Sequence, residues 1–265
     1  MEWEEVHGGD KAKLTKAYAT YLNNLAKETE SDDSPSKNFT IDLADEHTIT
    51  IETDEGTAVR LGPVPYRPQD ESTKVEIYIQ FAMTIGKRTK DGSENYLISK
   101  SSTEMVYLKL IETDGEEARE RVQGLHFDFD LNGDQANGDD GEQDANHPIF
   151  HAQYNPNCVD TSALKHWDPA EHERSYPAFP RIPCPPFDVV SVGYMILNDH
   201  LPDTIIESRG WPSEEIIQEH IPRFPEESFE HGFGGQKMVS ESWYVHHCIR
   251  DDGTPILDEN RHRPI

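Results

Sequence analysis

The sequence is poor in basic residues and has no long apolar run. Its 24 lysines and arginines stand against 51 aspartates and glutamates, which gives a formal net charge of −27 over 265 residues. So acidic a chain is a poor partner for nucleic acid phosphates or an anionic membrane surface, and we predict neither as a partner. No apolar stretch reaches the roughly 20 residues that a membrane-spanning helix needs.

Cysteine is scarce as well. Cys158, Cys184 and Cys248 are odd in number and far apart, and they form no CxxC pair. The pattern therefore indicates neither a disulfide framework nor a zinc ribbon. The acidic first residues also lack the basic start and apolar run of a signal peptide. We expect a cytoplasmic protein with reduced thiols.

Several enzyme motifs are missing. The sequence contains no GxxxxGK[ST] phosphate loop, no GxGxxG motif after a predicted strand and no GxSxG nucleophile elbow. Hydrolysis of nucleoside triphosphates, dinucleotide redox chemistry and serine esterase activity therefore have no local support.

The excess of carboxylates is informative in itself. Like charges repel and destabilise a compact chain at ordinary ionic strength, while near-molar salt shortens the Debye length to roughly 3 Å and screens them. With 9% aromatic residues and well-patterned segments, the chain should fold. By composition it resembles the cytosolic proteins of halophilic archaea. That resemblance, which points to no characterised family, implies a high-salt cytosol whose inorganic cations surround the surface.

Hydrophobic periodicity predicts an α+β fold, mainly an antiparallel sheet with an N-terminal helix and a few C-terminal helices. Apolar residues at helical spacing predict the first helix, with Asp10 as its N-cap and Glu28 near its end. Strict alternation over 75–85 predicts the clearest strand. Asp188 is predicted to cap a later helix. The remaining predicted strands are Phe39–Leu43, 47–52, 57–61, 96–98, 105–111, 125–130, 149–154 and 238–249, with a further helix from Ser213.

Turn signals and domain limits complete this outline. The segment 54–56 reads as a hairpin turn, the prolines of 63–68 as a loop and the basic segment 87–92 as a turn. We expect one domain over 1–265, and the Pro-rich stretch 156–186 is where a sub-boundary could fall.

The passage 125–154 carries the candidate site. In a strand, side chains alternate, so His126 and Asp128 share one face while Phe127 and Phe129 enter the core. Imidazoles with a carboxylate suit zinc, iron or manganese, and a remaining carboxylate could act as general base on a metal-bound water. This interpretation is a metal-dependent, hydrolase-like enzyme. Its candidate metal ligands are His126, Asp128, His147 and His151, and His246, His247 or Cys158 could complete the set.

Two other interpretations remain open for the same passage. Its acidic residues partly match an EF-hand loop, although the twelfth position is an aspartate and the flanks read as strands. The candidate calcium ligands are Asp128, Asp130, Asn132 and Asp139. Alternatively, the polar residues are the solvent-facing side of a half-exposed hairpin. On that last interpretation, which we favour, the chain is a binding or structural protein without catalysis.

Overall fold

The computed structural model describes residues 3–67, 70–90, 93–113, 116–130, 150–154 and 188–201. These ranges form an N-terminal α-helix, a seven-stranded antiparallel sheet and a short later helix, which confirms the predicted α+β class. The elements are α1 (Gly8–Glu28), a 3₁₀ turn (Pro35–Lys37), β1 (Phe39–Leu43), β2 (Thr48–Thr53), β3 (Val59–Arg67), β4 (Asp70–Lys90), β5 (Ser93–Thr113), β6 (Glu116–Asp130), β7 (Phe150–Tyr154) and α2 (Val189–His200). The predicted helix from Ser213, the strand 238–249 and the Pro-rich stretch 156–186 lie outside the described residues.

The strand order is β1-β2-β4-β5-β6-β7, and β3 pairs with β4 beside β2. The predicted hairpin across 54–56 is therefore wrong in its pairing. The turn forms, since the Thr57 amide donates to the Asp54 carbonyl, but β2 and β3 both pair with β4, at 82–86 and 70–79 respectively. Because β4 has 21 residues, one of its edges accommodates both strands.

Several strands are longer than the sequence predicted. The predicted strands 96–98 and 105–111 are parts of one strand, β5. The sequence suggests a break between them because Ser101 and Thr103 are small polar residues, but both side chains are buried in the core. The predicted turn at 87–92 is wrong over 87–90, since β4 continues to Lys90. β3 continues through the proline segment that we predicted as a loop. Proline lacks an N–H, and an edge strand with register shifts such as β3 tolerates it.

The start of α1 also differs from the prediction. His7 is the N-cap and Asp10 is the third helical residue, where its carboxylate accepts the His7 amide at 2.9 Å in a capping box. The other carboxylate oxygen accepts the Tyr96 hydroxyl at 2.7 Å and lies 3.5 Å from the Lys87 ammonium. Burial raises the pKa of Asp10, but these hydrogen bonds and the Lys87 charge outweigh it and lower the pKa. Lys87 of the basic segment is thus a buried partner of α1.

Both helices pack on one face of the sheet. The Tyr18 hydroxyl lies 3.9 Å from the Met83 sulfur, and Tyr21 donates a 2.8 Å hydrogen bond to the Val190 carbonyl of α2. A Cβ atom on Gly193 would lie 2.2 Å from the Tyr21 hydroxyl oxygen. Glycine at this position is therefore what allows α1 and α2 to approach each other so closely.

The second helix is anchored at both ends. The predicted cap is confirmed, because the Asp188 carboxylate accepts the Ser191 amide at 2.8 Å and its hydroxyl at 2.6 Å. At the other end, His200 donates from Nδ1 to the Pro65 carbonyl at 2.8 Å, and its ring centroid lies 5.4 Å from that of Tyr107. Neither helix of the described part is long and apolar enough to cross a membrane.

Candidate functional site

The candidate residues lie on the sheet face that points away from α1 and α2, which we call the distal face. It carries Tyr78, Gln80 and Ala82 of β4, Ser102 and Glu104 of β5, and His126 and Asp128 of β6. The alternation predicted for β6 is confirmed, because Phe127 and Phe129 are buried on the opposite face. Ala82 is exposed, so this part of the distal face is open to solvent.

The imidazole of His126 lies between two carboxylates. Its Nδ1 is 3.1 Å from Oε1 of Glu104, which is directly opposite it on β5, and its Nε2 is 2.5 Å from Oδ2 of Asp128. The three side chains are 17%, 27% and 29% exposed. This arrangement ties β5 to β6 through one ring.

The two carboxylates decide the protonation state of His126. Desolvation lowers the pKa of the imidazole, but the hydrogen bonds and charges of Asp128 and Glu104 outweigh it and raise the pKa to about 9. At neutral pH the ring is therefore an imidazolium that donates to both neighbours. In this state it has no free nitrogen lone pair with which to accept a proton or bind a metal ion.

The positions of the carboxylates also matter for metal binding. Glu104 and Asp128 contact different nitrogens of the ring, so the imidazole separates them. Among the side chains that the structure describes, no three His, Cys, Asp or Glu groups converge as metal ligands would. A site on this face would therefore need a further ligand from a neighbouring strand.

The neighbouring strand β7 presents a histidine at the corresponding position. The register pairs His151 with Asp128 and Gln153 with His126. For β7 the structure describes the backbone only. Residues directly opposite each other in an antiparallel pair share a face, with Cβ atoms about 4.5–5.5 Å apart. The backbone register thus places position 151 beside Asp128 and position 153 beside His126.

The other predicted ligands are not brought together by the described chain. Asp130 pairs with Lys100 in the β5–β6 register, and only its backbone is described. Calcium binding by this segment stays a prediction, as does metal binding by the histidines. The candidates that lie outside the described residues are Asn132, Asp139, His147, Cys158, His246 and His247.

A second polar cluster on the distal face was not anticipated. Glu76 of β4 is only 1% exposed and accepts hydrogen bonds from Arg60 at 2.5 Å, from Arg119 at 2.8 and 3.1 Å, and from the Tyr78 hydroxyl at 3.1 Å. Burial raises the pKa of Glu76, but the two guanidinium groups outweigh it and lower the pKa. Alternation places Glu76 on the polar face, but no local pattern in the sequence identifies its distant partners.

Glu104 was missed for the same reason. It is 22 residues from His126, and only the β5–β6 pairing places the two side chains opposite each other.

Comparisons with known proteins add no further guide to function. No protein-family model matches the chain, and neither does any curated protein or any solved structure.

Proposed function

We propose that this protein is a non-catalytic binding protein of a high-salt cytoplasm, and that its ligand is a divalent transition-metal ion such as zinc, iron or manganese. The ligands are His126, Asp128 and His151 on the distal face. The observation that carries this proposal is the β6–β7 register, in which His151 lies directly opposite Asp128 and beside the position of His126. Two imidazoles and a carboxylate are a common ligand set for these metals.

The contact between His126 and Asp128 supports the metal proposal. Nε2 donates a hydrogen bond to Oδ2 over 2.5 Å. Two tetrahedral ligands at about 2.0–2.2 Å from a zinc ion are separated by roughly 3.3 Å. A metal ion would therefore replace the proton of this hydrogen bond if the two side chains moved apart by less than about 1 Å, which small torsional changes supply.

Two observations support binding without catalysis. In the proposed site His126 binds the metal ion through Nε2 and donates to Glu104 from Nδ1, so the ring has no free lone pair with which to act as general base. Asp128 is a ligand of the same ion and is likewise occupied. The high-salt setting rests on the net charge of −27, which near-molar salt would screen.

Zinc binding tests the metal proposal directly. The full chain, purified in molar potassium chloride, is dialysed against zinc chloride, and bound metal is counted by elemental analysis. We expect near-stoichiometric zinc in the wild type and its loss in the double variant His126→Gln/His151→Gln. The matched control is His47→Gln, since the His47 side chain is 46% exposed and precedes β2, far along the chain from this site. Zinc retained by the double variant, or lost by the control, would contradict the assignment.

The same preparations separate the alternative functions. Calcium binding by the acidic segment should depend on Asp128 and Asp130 and be indifferent to both histidines. Hydrolysis of a generic phosphate ester by zinc-loaded protein, abolished in the histidine double variant, would contradict the non-catalytic part of the proposal and favour a metal-dependent hydrolase.

A further inference from the structure

Glu104 occupies a specific place beside the proposed metal site. It lies on β5, directly opposite His126, whereas the proposed ligands lie on β6 and β7. Its Oε1 is 3.1 Å from Nδ1 of the imidazole, and the side chain is 27% exposed. The carboxylate therefore contacts the ring nitrogen that is not used in the contact with Asp128.

We propose that Glu104 is a positioning residue that orients His126 so that Nε2, and not Nδ1, binds the metal ion. The inference rests on the proposed metal-binding function. An imidazole that binds a metal ion through one nitrogen keeps a proton on the other, and a carboxylate that accepts this proton fixes both the tautomer and the ring orientation. Glu104 supplies this acceptor from β5, which leaves Nε2 facing Asp128.

The geometry explains why the acceptor has to come from β5. β6 lies between β5 and β7, and Nε2 is already held by Asp128 of β6 itself, so an acceptor for Nδ1 on the side away from β7 comes from Glu104 of β5. Without an acceptor on the β5 side, a half-turn about the Cβ–Cγ bond would move Nδ1 to the position of Cδ2, on the opposite side of the ring, at little cost, because terminal torsions of histidine are broad. Glu104 removes this ambiguity.

The test uses three variants of the full chain and zinc as the probe. In Glu104→Ala the acceptor is lost, and we expect the zinc dissociation constant to rise by about 10–100-fold, as for other carboxylates that support a metal-binding histidine. Glu104→Gln keeps a carbonyl acceptor and should recover part of that loss. Asp42→Ala is the matched control, because Asp42 is a carboxylate on β1, at the other end of the described sheet, and its loss should leave the affinity unchanged.

A spectroscopic measurement distinguishes positioning from a merely structural role. In zinc-loaded protein with ¹⁵N-labelled histidine, the nitrogen chemical shifts identify which atom of His126 binds the metal. We expect Nε2 in the wild type and in Glu104→Gln, and a mixture of Nε2 and Nδ1 in Glu104→Ala.

The outcomes separate the two proposals. If the wild type binds no zinc, the proposed function fails and this inference fails with it. If the wild type binds zinc but Glu104→Ala changes neither the dissociation constant nor the nitrogen that binds the metal, only the inference about Glu104 is overturned.

Discussion

The pH dependence of folding stability is the sharpest consequence of the His126 arrangement. The unfolded chain releases the imidazole proton near the ordinary value of 6.5, while the folded chain keeps it until about pH 9. Between these values the folded state binds more protons than the unfolded state, so stability falls as the pH rises. The contribution of His126 is therefore complete below about pH 6.5 and lost as the pH passes 9.

The size of the effect follows from the same shift. Each pH unit within the window corresponds to about 1.4 kcal/mol of unfolding free energy, which sets an upper limit of roughly 3–4 kcal/mol. The two carboxylates are 27% and 29% exposed, so solvent and salt screen part of the interaction. We expect a loss of about 2 kcal/mol between about pH 6 and pH 10.

Urea denaturation in molar potassium chloride measures this loss, with intrinsic tryptophan fluorescence as the signal. The matched variant is His126→Gln, which removes the titrating group, so its stability should vary less with pH by that amount. Nuclear magnetic resonance of the ring protons reports the pKa of His126 separately. Parallel pH profiles for the two proteins, or an imidazole that titrates near its ordinary value, would refute the reasoning.

Two packing predictions concern the rest of the fold. Gly193→Ala should lower the free energy of unfolding by about 1–3 kcal/mol, because the new Cβ clashes with the Tyr21 hydroxyl. In urea denaturation, the double variant with Tyr21→Phe should recover part of this loss. Additive losses in the double variant would argue against the clash. Glu76→Gln should cost about 3–5 kcal/mol, because it leaves two arginines beside a neutral group in a buried site. The Tyr78→Phe control removes a single hydrogen bond to Glu76 and should lower the free energy of unfolding by only about 1 kcal/mol. An equal loss in Glu76→Gln and Tyr78→Phe would show that the ion pairs contribute little to stability.

Local patterns in the sequence were sufficient for some of these features. The alternation in β6 predicted which face would carry His126 and which would bury Phe127, because neighbouring side chains of a strand must point to opposite faces. The cap at Asp188 was predictable for a similar reason, since a helix N-terminus needs a nearby acceptor for its free amides. The acidic composition was also evident without coordinates.

Proline and small polar residues obscured other elements. β3 was predicted to end before its prolines, and the clearest break in β5 was the polar segment around Ser101 and Thr103. Both segments remain in the sheet because pairing with a long neighbouring strand outweighs weak local propensity. Propensity describes a residue by itself, whereas a strand is stabilised by its partners.

The partners themselves came only from the three-dimensional arrangement. The turn at 54–56 has the chemistry of a hairpin, yet β2 and β3 both pair with β4. Glu104 meets His126 across 22 residues, and Arg119 reaches Glu76 across 43. The alternation of side chains is a local property of an extended backbone and can be read along the chain. Register depends on which distant strand supplies the complementary hydrogen bonds and packing, so the neighbours of each polar side chain are specified only when the whole sheet forms.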